Sequence, residues 1–368
     1  MTARVRVAVG IPQAWTTGGI DRSGMRRFLE RAEALCLESA WVVEQVLGAV
    51  PSLEPVELLA WAAALTDRIR LGTAVLLMPL RSPVHLAKSL ATVDQLSGGR
   101  LDVGIGLGGN PKVYPAFGIT AARRVARFNE GLRLMRALWT EPRVTFAGEF
   151  WQLDSAAMEP KPLQRPHPPV WGATGSPDGH RMMGELGLGL LSFSVGTPPE
   201  QLKQRIDLYR AGLAACERPL GAFVNPRAAC FTMVNCAPTK RESYDVSRES
   251  FAWYARRSAE LVASVPLWLE EMKAESDGTY AYLEEARVAV EQRLHELASL
   301  DALLAMNAVI AGDPDEVVER CRAYQATGAD LLLCLVNPYK IPHEKVMQTI
   351  ELVGKYVIPE FAAGASAD

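Results

Sequence analysis

Short apolar runs alternate along the chain with segments whose apolar residues recur at helical spacing. Two such runs, Ile69–Leu77 and Leu101–Ile105, flank Val84–Leu96, in which leucine and valine recur every three to four positions. Neither run alternates between polar and apolar residues, which is typical of strands covered on both faces. Strand, helix and strand in close succession therefore predict a βαβ unit with parallel strands.

The same alternation continues over most of the chain and predicts eight strands. They are Val5–Gly10, Ala40–Glu44, Ile69–Leu77, Leu101–Ile105, Val170–Ala173, Leu188–Phe193, Arg227–Asn235 and Asp330–Val336. Because helical segments separate nearly all of them, the expected fold class is α/β, closed as a (β/α)8 TIM barrel. The alternative is an open doubly wound sheet, whose dinucleotide fingerprint is weakly matched by Gly104-x-Gly106-x-x-Gly109. That motif requires a helix directly after the glycines, whereas Asn110-Pro111 follows here.

The alternation stops between Lys240 and Met306, where the pattern is mostly helical and contains no clear strand. Aromatic residues of this segment include Trp253, Tyr254, Trp268, Tyr280 and Tyr282. Long excursions from a barrel are usually lids or interfaces, and these aromatic residues fit either a substrate pocket or a dimer contact. We predict one barrel domain over residues 1–368 with a helical insertion at about 240–306.

The composition of the chain limits the kinds of molecule that we expect it to bind. A net charge of −3 gives no reason to expect nucleic acid, and the chain shows no signal peptide and no apolar run long enough to span a bilayer. We therefore expect a cytoplasmic protein without membrane contact. The six cysteines are scattered and are expected to be reduced core residues. The histidines never occur at metal-ligand spacing, so no metal site is predicted.

In a TIM barrel the active site lies at the carboxyl ends of the strands. This rule nominates Glu44, Gln45, Thr73, Ala74, Gly104–Gly109, Thr174–Ser176, Ser192–Ser194, Asn235 and Asn337. The set consists mostly of small residues, amides and hydroxyls, without a Cys–His pair or a carboxylate cluster. Such a set offers little acid–base or nucleophilic equipment, which indicates that a cofactor performs the difficult step.

The turn from the fifth predicted strand to its helix is a candidate anion site. Gly175 and Ser176 precede Pro177 at the helix N-terminus, where backbone N–H groups and the helix dipole favour a negative charge. The alternative is a helix cap by Ser176 followed by proline at the first helical position. Both roles are compatible with each other.

Three stretches of the first half resemble one known family. Arg70-Leu-Gly-Thr-Ala-Val, Pro79-Leu-Arg-Ser-Pro-Val-His-Leu-Ala-Lys and Thr92-Val-Asp-Gln-Leu-Ser-Gly-Gly-Arg-Leu-Asp-Val-Gly-Ile-Gly are similar to the bacterial-luciferase-like flavin oxidoreductases. Arg124-Val-Ala-Arg127-Phe-Asn-Glu130 and the approach to Gly175-Ser176 also match the family. The resemblance covers most of the chain outside the insertion.

The resemblance implies a set of cofactor contacts. Glu44, Gln45, Ala74 and Gly106 would surround a flavin ring, with a non-prolyl cis peptide in the Thr73–Val75 region. Gly175, Ser176 and an arginine, either Arg124 or Arg127, would hold the flavin phosphate, since arginine pairs well with phosphate oxygens. The alternative for Arg124 is a solvated helix face on which it forms exposed pairs together with Arg123, Arg127 and Glu130.

Three positions depart from the family pattern. Luciferases carry Glu-His-His where this chain has Glu44-Gln45-Val46, and glutamine cannot titrate. Gln45, at the family's catalytic position, is therefore expected to position a ligand by hydrogen bonding. Leu107 replaces another phosphate-binding arginine, and Gly179 stands where relatives often have a small or hydroxyl residue.

The family resemblance implies an enzyme, a flavin-dependent monooxygenase. It would use reduced FMN from a separate flavin reductase, together with oxygen, to oxidise a small organic substrate, and it would be a homodimer. A deazaflavin-dependent oxidoreductase that transfers hydride on the same fold is one alternative. A non-catalytic barrel that serves as a partner subunit is the other.

Overall fold

The protein is described by a computed structural model over residues 5–13, 20–47, 52–108, 111–272 and 299–362. Its strands are β1 Arg6–Gly10, β2 Ser39–Val42, β3 Arg70–Thr73, β4 Leu76–Leu77, β5 Leu101–Gly106, β6 Val144–Ala147, β7 Gln152–Ala156, β8 Val170–Thr174, β9 Gly189–Phe193, β10 Ala228–Cys236, β11 Ile310–Gly312 and β12 Leu331–Leu335. Eight of them pair in parallel in the order β1-β2-β3-β5-β8-β9-β10-β12, and β12 pairs with β1 to close the ring. The predicted TIM barrel is thus confirmed and the open sheet is excluded.

The helices pack around this ring. They are α1 Arg22–Ala34, α2 Pro55–Ala63, α3 Pro83–Leu96, α4 Arg124–Thr140, α5 Pro177–Glu185, α6 Pro199–Ala214, α7 Lys240–Met272, α8 Leu300–Ala305, α9 Pro314–Gln325, α10 His343–Leu352 and α11 Ile358–Ala362. Several begin with proline in the first turn, where the missing N–H costs no hydrogen bond. Helix α9 is an example of a capped N-terminus. The Asp313 side chain precedes this helix and accepts a hydrogen bond from the backbone N–H of Glu316.

The structure adds detail to the sequence predictions in four places. The third predicted strand is divided into β3 and β4 by a cis peptide between Ala74 and Val75, as the family resemblance implied. Strands β6 and β7, which lie outside the barrel ring, pair as an antiparallel hairpin. The short strand β11, which pairs with the end of β10, was not predicted. In the insertion, α7 and α8 are helical as expected, whereas residues 273–298, with Tyr280 and Tyr282, lie outside the described residues.

The cysteine prediction holds only in part. Four of the free cysteines, Cys230, Cys236, Cys321 and Cys334, are buried, and burial raises the pKa of each of these thiols. Cys36 is instead exposed in the turn after α1, so its placement in the core was wrong.

Two tryptophans fill the interior of the ring. Trp41 and Trp171 meet edge to face with their centroids 5.7 Å apart. An added Cβ at Gly72 would lie 2.4 Å from the Trp41 ring, so glycine is required there to admit the indole. The Trp171 Nε1 donates to the buried Asp102 carboxylate at 2.9 Å. The barrel is therefore a packed core, and a ligand must bind above this layer, at the carboxyl ends of the strands.

Candidate active site

The interior layer directly above the tryptophans is made of two unequal halves. Side chains two residues apart on a strand share a face, so Ala173 lies above Trp171, and Phe193 and Phe231 lie above the inward-facing Leu191 and Ala229. On β5 an added Cβ at Gly106 would lie 2.7 Å from Val75 Cγ2 and 3.7 Å from Ala173 Cβ. The side formed by β3, β5 and β8 thus carries small residues, and the side formed by β9 and β10 carries aromatic rings.

The segment after β3 is fixed to both neighbouring strands. Thr73 Oγ1 donates to the carbonyl of Gly104 at 2.7 Å and accepts from the Gly104 N–H at 2.9 Å. The Ala74 N–H donates to the carbonyl of Val42 at 2.7 Å. An added Cβ at Gly104 would lie only 1.8 Å from the Thr73 carbonyl oxygen. Ala74 and Gly106 are therefore brought together in one floor, which we call the small-residue floor: Ala74, Val75, Gly106 and Ala173.

Glu44 supports this floor from outside. Its carboxylate is almost completely buried and accepts from the Leu77 N–H at 2.6 Å and from Arg81 Nη2 at 2.6 Å. Arg81 also pairs with Glu54. The structure thus commits the Glu44 carboxylate to β4 and Arg81, so Glu44 braces the floor. Sequence analysis did not single out Arg81, although it lies in a stretch that matches the family.

The side chain of Gln45 is exposed at the rim of the mouth, directly after Glu44. Its neighbours Val43 and Val46 are also exposed. Asn235, nominated from its strand, is buried instead and bonds Thr349 and Ser243. Its amide is thereby occupied within the protein.

The turn between β8 and α5 has the geometry of a capped helix N-terminus. Ser176 Oγ accepts from the Gly179 N–H at 3.0 Å, and the Ser176 N–H donates to Thr174 Oγ1 at 3.3 Å. Gly175 is exposed, and an added Cβ there would meet only the Phe193 carbonyl oxygen, at 4.0 Å. The capping role of Ser176 is thus observed, and the space above Gly175 is open to a ligand.

A buried histidine holds this turn to the barrel. His180 Nδ1 lies 2.6 Å from the Ser176 carbonyl oxygen, and His180 Nε2 lies 2.8 Å from Ser192 Oγ. Burial lowers the pKa of His180 to about 4, so the ring is neutral near pH 7. Because the carbonyl can only accept, Nδ1 carries the proton and Nε2 accepts from the Ser192 hydroxyl. Sequence analysis gave His180 no role, although it lies one helical turn after Ser176.

Arg124 lies at the start of α4, in the connection that follows β5. It is the first residue of α4 and is nearly buried, so the expectation of an exposed pair does not hold for it. Its charge acts on Tyr114, whose hydroxyl donates to the carbonyl of Leu107 directly after β5. Since β5 pairs with β8, Arg124 and the turn at Ser176 follow adjacent strands.

Three polar residues close to Arg124 in the chain contact the β6–β7 hairpin: Arg123, Arg127 and Glu130. Arg123 pairs with Glu149, and the Arg127 guanidinium lies 4.7 Å from the ring centroid of Trp151. The Glu130 carboxylate is buried and accepts from three backbone N–H groups of residues 149–151. The hairpin thus engages Arg123, Arg127 and Glu130.

Helix α7 of the insertion contacts the aromatic half of the mouth. The Tyr254 ring lies 6.4 Å from that of Phe231, and the Trp253 ring stacks on that of Tyr339 at 4.1 Å. Among the residues that the structure describes, no group of three or more His, Cys, Asp or Glu side chains is arranged to bind a metal. In the same residues, no helix combines the length and apolarity needed to cross a membrane.

Comparison with known proteins identifies the family. The model of the luciferase-like monooxygenase family matches residues 5–331 of this chain. The chain therefore belongs to this family and is an enzyme, which speaks against a non-catalytic barrel subunit.

The names of individual relatives point to two different cofactors, flavin and F420. The oxygenase component of flavin-dependent trigonelline monooxygenase from Acinetobacter baylyi is 26% identical over 299 residues, which cover 81% of this chain and 78% of that protein. F420-dependent glucose-6-phosphate dehydrogenase from Nakamurella multipartita is 27% identical over 312 residues, which cover 83% and 82%. The crystal structure of monooxygenase RslO1 from Streptomyces bottropensis is 25% identical, covers 97% of this chain and 100% of that one, and superposes with a TM-score of 0.73. Together they support a cofactor of the flavin type.

Proposed function

We propose that this protein is the oxygenase component of a two-component monooxygenase. It would receive reduced FMN from a separate reductase and use oxygen to oxidise a small organic substrate. A relative that is named an oxygenase component and aligns with 81% of the chain supports this proposal. The homodimer expected from the family resemblance is part of the same proposal.

The small-residue floor is the observation that carries the proposal. A flat ring requires a surface without projecting side chains, and Ala74, Val75, Gly106 and Ala173 provide one above the buried tryptophans. At the edge of this floor, the open space at Gly175 and the N-terminus of α5 suit a phosphate. Arg124, at the start of α4, would add a permanent positive charge. These residues fit a flavin mononucleotide.

The protein's own residues would fix the geometry of this site. The Glu44–Arg81 pair and the Glu44–Leu77 hydrogen bond hold the floor in place. His180 holds the turn between β8 and α5, where the phosphate would bind, against β9. It adds no charge there, because its ring is neutral. The Gln45 amide can donate and accept a hydrogen bond but cannot transfer a proton as a base. When bound, reduced flavin would supply the electrons for the oxidation.

The second candidate is an oxidoreductase that transfers hydride with the deazaflavin coenzyme F420. The relative from Nakamurella multipartita supports it, since it is named F420-dependent and aligns with 83% of this chain. The small-residue floor would accept the ring of either cofactor. The two candidates differ in their need for oxygen.

Anaerobic titration of the purified protein with reduced FMN, oxidised FMN and F420 separates the candidates. We expect the tightest binding for reduced FMN, followed by reoxidation of the bound flavin when oxygen is admitted. Tight binding of F420 alone would replace the first candidate with the second. Failure to bind any of the three would refute both.

Reduced riboflavin, which lacks the phosphate, tests the assignment of the phosphate site. Arg124→Ala should weaken binding of reduced FMN by about tenfold and leave reduced riboflavin unaffected, since a charged hydrogen bond contributes about 1.5–3 kcal/mol. Arg123→Ala is the matched control, because Arg123 is the preceding residue and pairs with Glu149 at the surface. Equal losses of FMN affinity in both variants would show that Arg124 does not contact the phosphate.

A further inference from the structure

The aromatic half of the mouth is assembled from three separate elements. Phe193 ends β9, Phe231 lies in β10 and Tyr254 lies in α7. The Phe193 and Phe231 rings are stacked with centroids 5.9 Å apart and planes 20° apart, and Tyr254 leans on Phe231 at 51°. We call these three residues the aromatic wall. It faces the small-residue floor across the barrel mouth.

The wall is held rigidly at its centre. Ser194 Oγ donates to the carbonyl of Phe231 at 2.7 Å and accepts from the Phe231 N–H at 3.0 Å. One hydroxyl therefore ties the backbone of β10 to the residue that follows Phe193. The stacked pair is thus positioned by both side-chain packing and hydrogen bonds.

Tyr254 differs from the other tyrosines whose pKa is raised by burial. The hydroxyls of Tyr114, Tyr209, Tyr244 and Tyr324 each have a hydrogen-bond partner within the protein. Burial raises the pKa of Tyr254 to about 12, yet no hydrogen bond joins its hydroxyl to any described residue. The Tyr254 side chain is only half-buried, so its hydroxyl is not sealed off from the mouth. A ligand bound there would supply a hydrogen-bond acceptor for it.

We propose that the aromatic wall binds the substrate of the proposed reaction, and that this substrate is a planar unsaturated ring bearing a carbonyl or similar oxygen acceptor. The ring packs against Phe193 and Phe231, and the Tyr254 hydroxyl donates a hydrogen bond to the oxygen. This inference rests on the proposed function, since the floor opposite is reserved for the flavin ring. Neutral Tyr254 acts as a donor over the whole range below its raised pKa.

Three small probes test the wall on the protein loaded with reduced cofactor, under anaerobic conditions. Acetophenone has a planar ring and a carbonyl, ethylbenzene has the ring alone, and cyclohexyl methyl ketone has the carbonyl alone. We expect calorimetric titration to show acetophenone binding at least fivefold more tightly than either of the others. Equal affinity for all three, or no binding of any by protein that has bound the cofactor, would overturn the proposal while leaving the proposed function intact. Failure to bind the cofactor itself would refute the proposed function instead.

Two substitutions in α7 distinguish a direct role of the Tyr254 hydroxyl in binding from a general effect on the stability of the helix. Tyr254→Phe should lower the affinity for acetophenone about fivefold and leave that for ethylbenzene unchanged, as expected for one lost hydrogen bond. Tyr244→Phe is the control, since the Tyr244 hydroxyl bonds Glu316 and should not affect either probe. Unchanged acetophenone binding in Tyr254→Phe, or an equal loss in both variants, would overturn the role of the Tyr254 hydroxyl. Phe231→Leu should remove the preference for acetophenone over cyclohexyl methyl ketone.

Discussion

Gly104 supports the small-residue floor from below and leaves no room for a larger side chain. In Gly104→Ala the new methyl group would lie 1.8 Å from the Thr73 carbonyl oxygen and 2.7 Å from Leu191 Cδ1. The first obstacle is backbone, so a change of rotamer cannot relieve it. The residues must move apart by more than 1 Å by rough comparison with ordinary contact distances. This movement separates Thr73 from Gly104, whose backbone it bonds twice.

The expected change in stability follows from two destabilising contributions and one that offsets them. Overpacking a core typically costs about 1–3 kcal/mol. Loss of the two hydrogen bonds adds about 1 kcal/mol each. Alanine also lowers the conformational entropy of the unfolded chain, which offsets about 0.4–1 kcal/mol of this destabilisation. We therefore expect Gly104→Ala to lower the free energy of unfolding by about 3 kcal/mol.

Gly10→Ala is the matched control, because Gly10 is likewise a glycine in a strand of the barrel, the last residue of β1. Its added Cβ would meet Leu335 Cδ1 at 3.6 Å and the Cys334 carbonyl oxygen at 3.8 Å, which are ordinary contacts. This variant should be as stable as the parent or slightly more so. Urea unfolding followed by tryptophan fluorescence, approached from both the folded and the unfolded state, measures the difference. With an m value of about 3 kcal/mol/M, the midpoint of Gly104→Ala should fall by about 1 M. Equal midpoints for the two variants would refute the steric argument.

Three further predictions concern the supports of the site. Arg81→Met should cost about 3 kcal/mol in urea unfolding, because it leaves the buried Glu44 carboxylate unpaired, whereas loss of the exposed partner in Glu54→Gln should cost less than about 1 kcal/mol. The folded pKa of His180, about 4, lies below its ordinary value of 6.5, so the unfolded chain binds the proton first and stability falls as the pH drops from about 6.5 to 4. His180→Asn should remove a slope of up to about 1.4 kcal/mol per pH unit, and an unchanged pH dependence would contradict this. Trp253→Ala should speed amide hydrogen exchange in α7 by removing the stack on Tyr339, and unaltered exchange would show that the stack does not anchor the helix.

The barrel itself could be predicted from the sequence because its signal is local. Buried parallel strands are continuous apolar runs, and each run here lies within a few residues of an observed strand. The division of Ile69–Leu77 into β3 and β4 had no such signal, since Thr73-Ala74-Val75 has the composition of an ordinary strand. The distinguishing contact lies about thirty residues away, where Gly104 leaves room for the Thr73 carbonyl group.

The roles of the polar residues could not be predicted in the same way, because they depend on contacts between elements that the spacing of residues along the chain does not reveal. Spacing alone does not distinguish Arg123, Arg124 and Arg127. In the structure Arg123 pairs with Glu149 and Arg127 lies against Trp151, whereas Arg124 is nearly buried. His180 likewise gains its role from Ser192, on the next strand of the barrel. In both cases the deciding partner belongs to an element whose position follows from the closed ring.

The two halves of the mouth come from different parts of the chain, and this separates cofactor binding from substrate choice. The small-residue floor is built by β3, β5 and β8, whose close contacts leave little room for larger side chains, as at Gly106. The aromatic wall is built by β9, β10 and the insertion helix α7, where Tyr254 meets Phe231 across a looser contact of 6.4 Å. Substitutions in the wall can change the shape of the pocket without moving the floor, because the two do not share a strand. We therefore expect specificity for the substrate to be altered at Phe193, Phe231 and Tyr254 with little effect on the affinity for the cofactor.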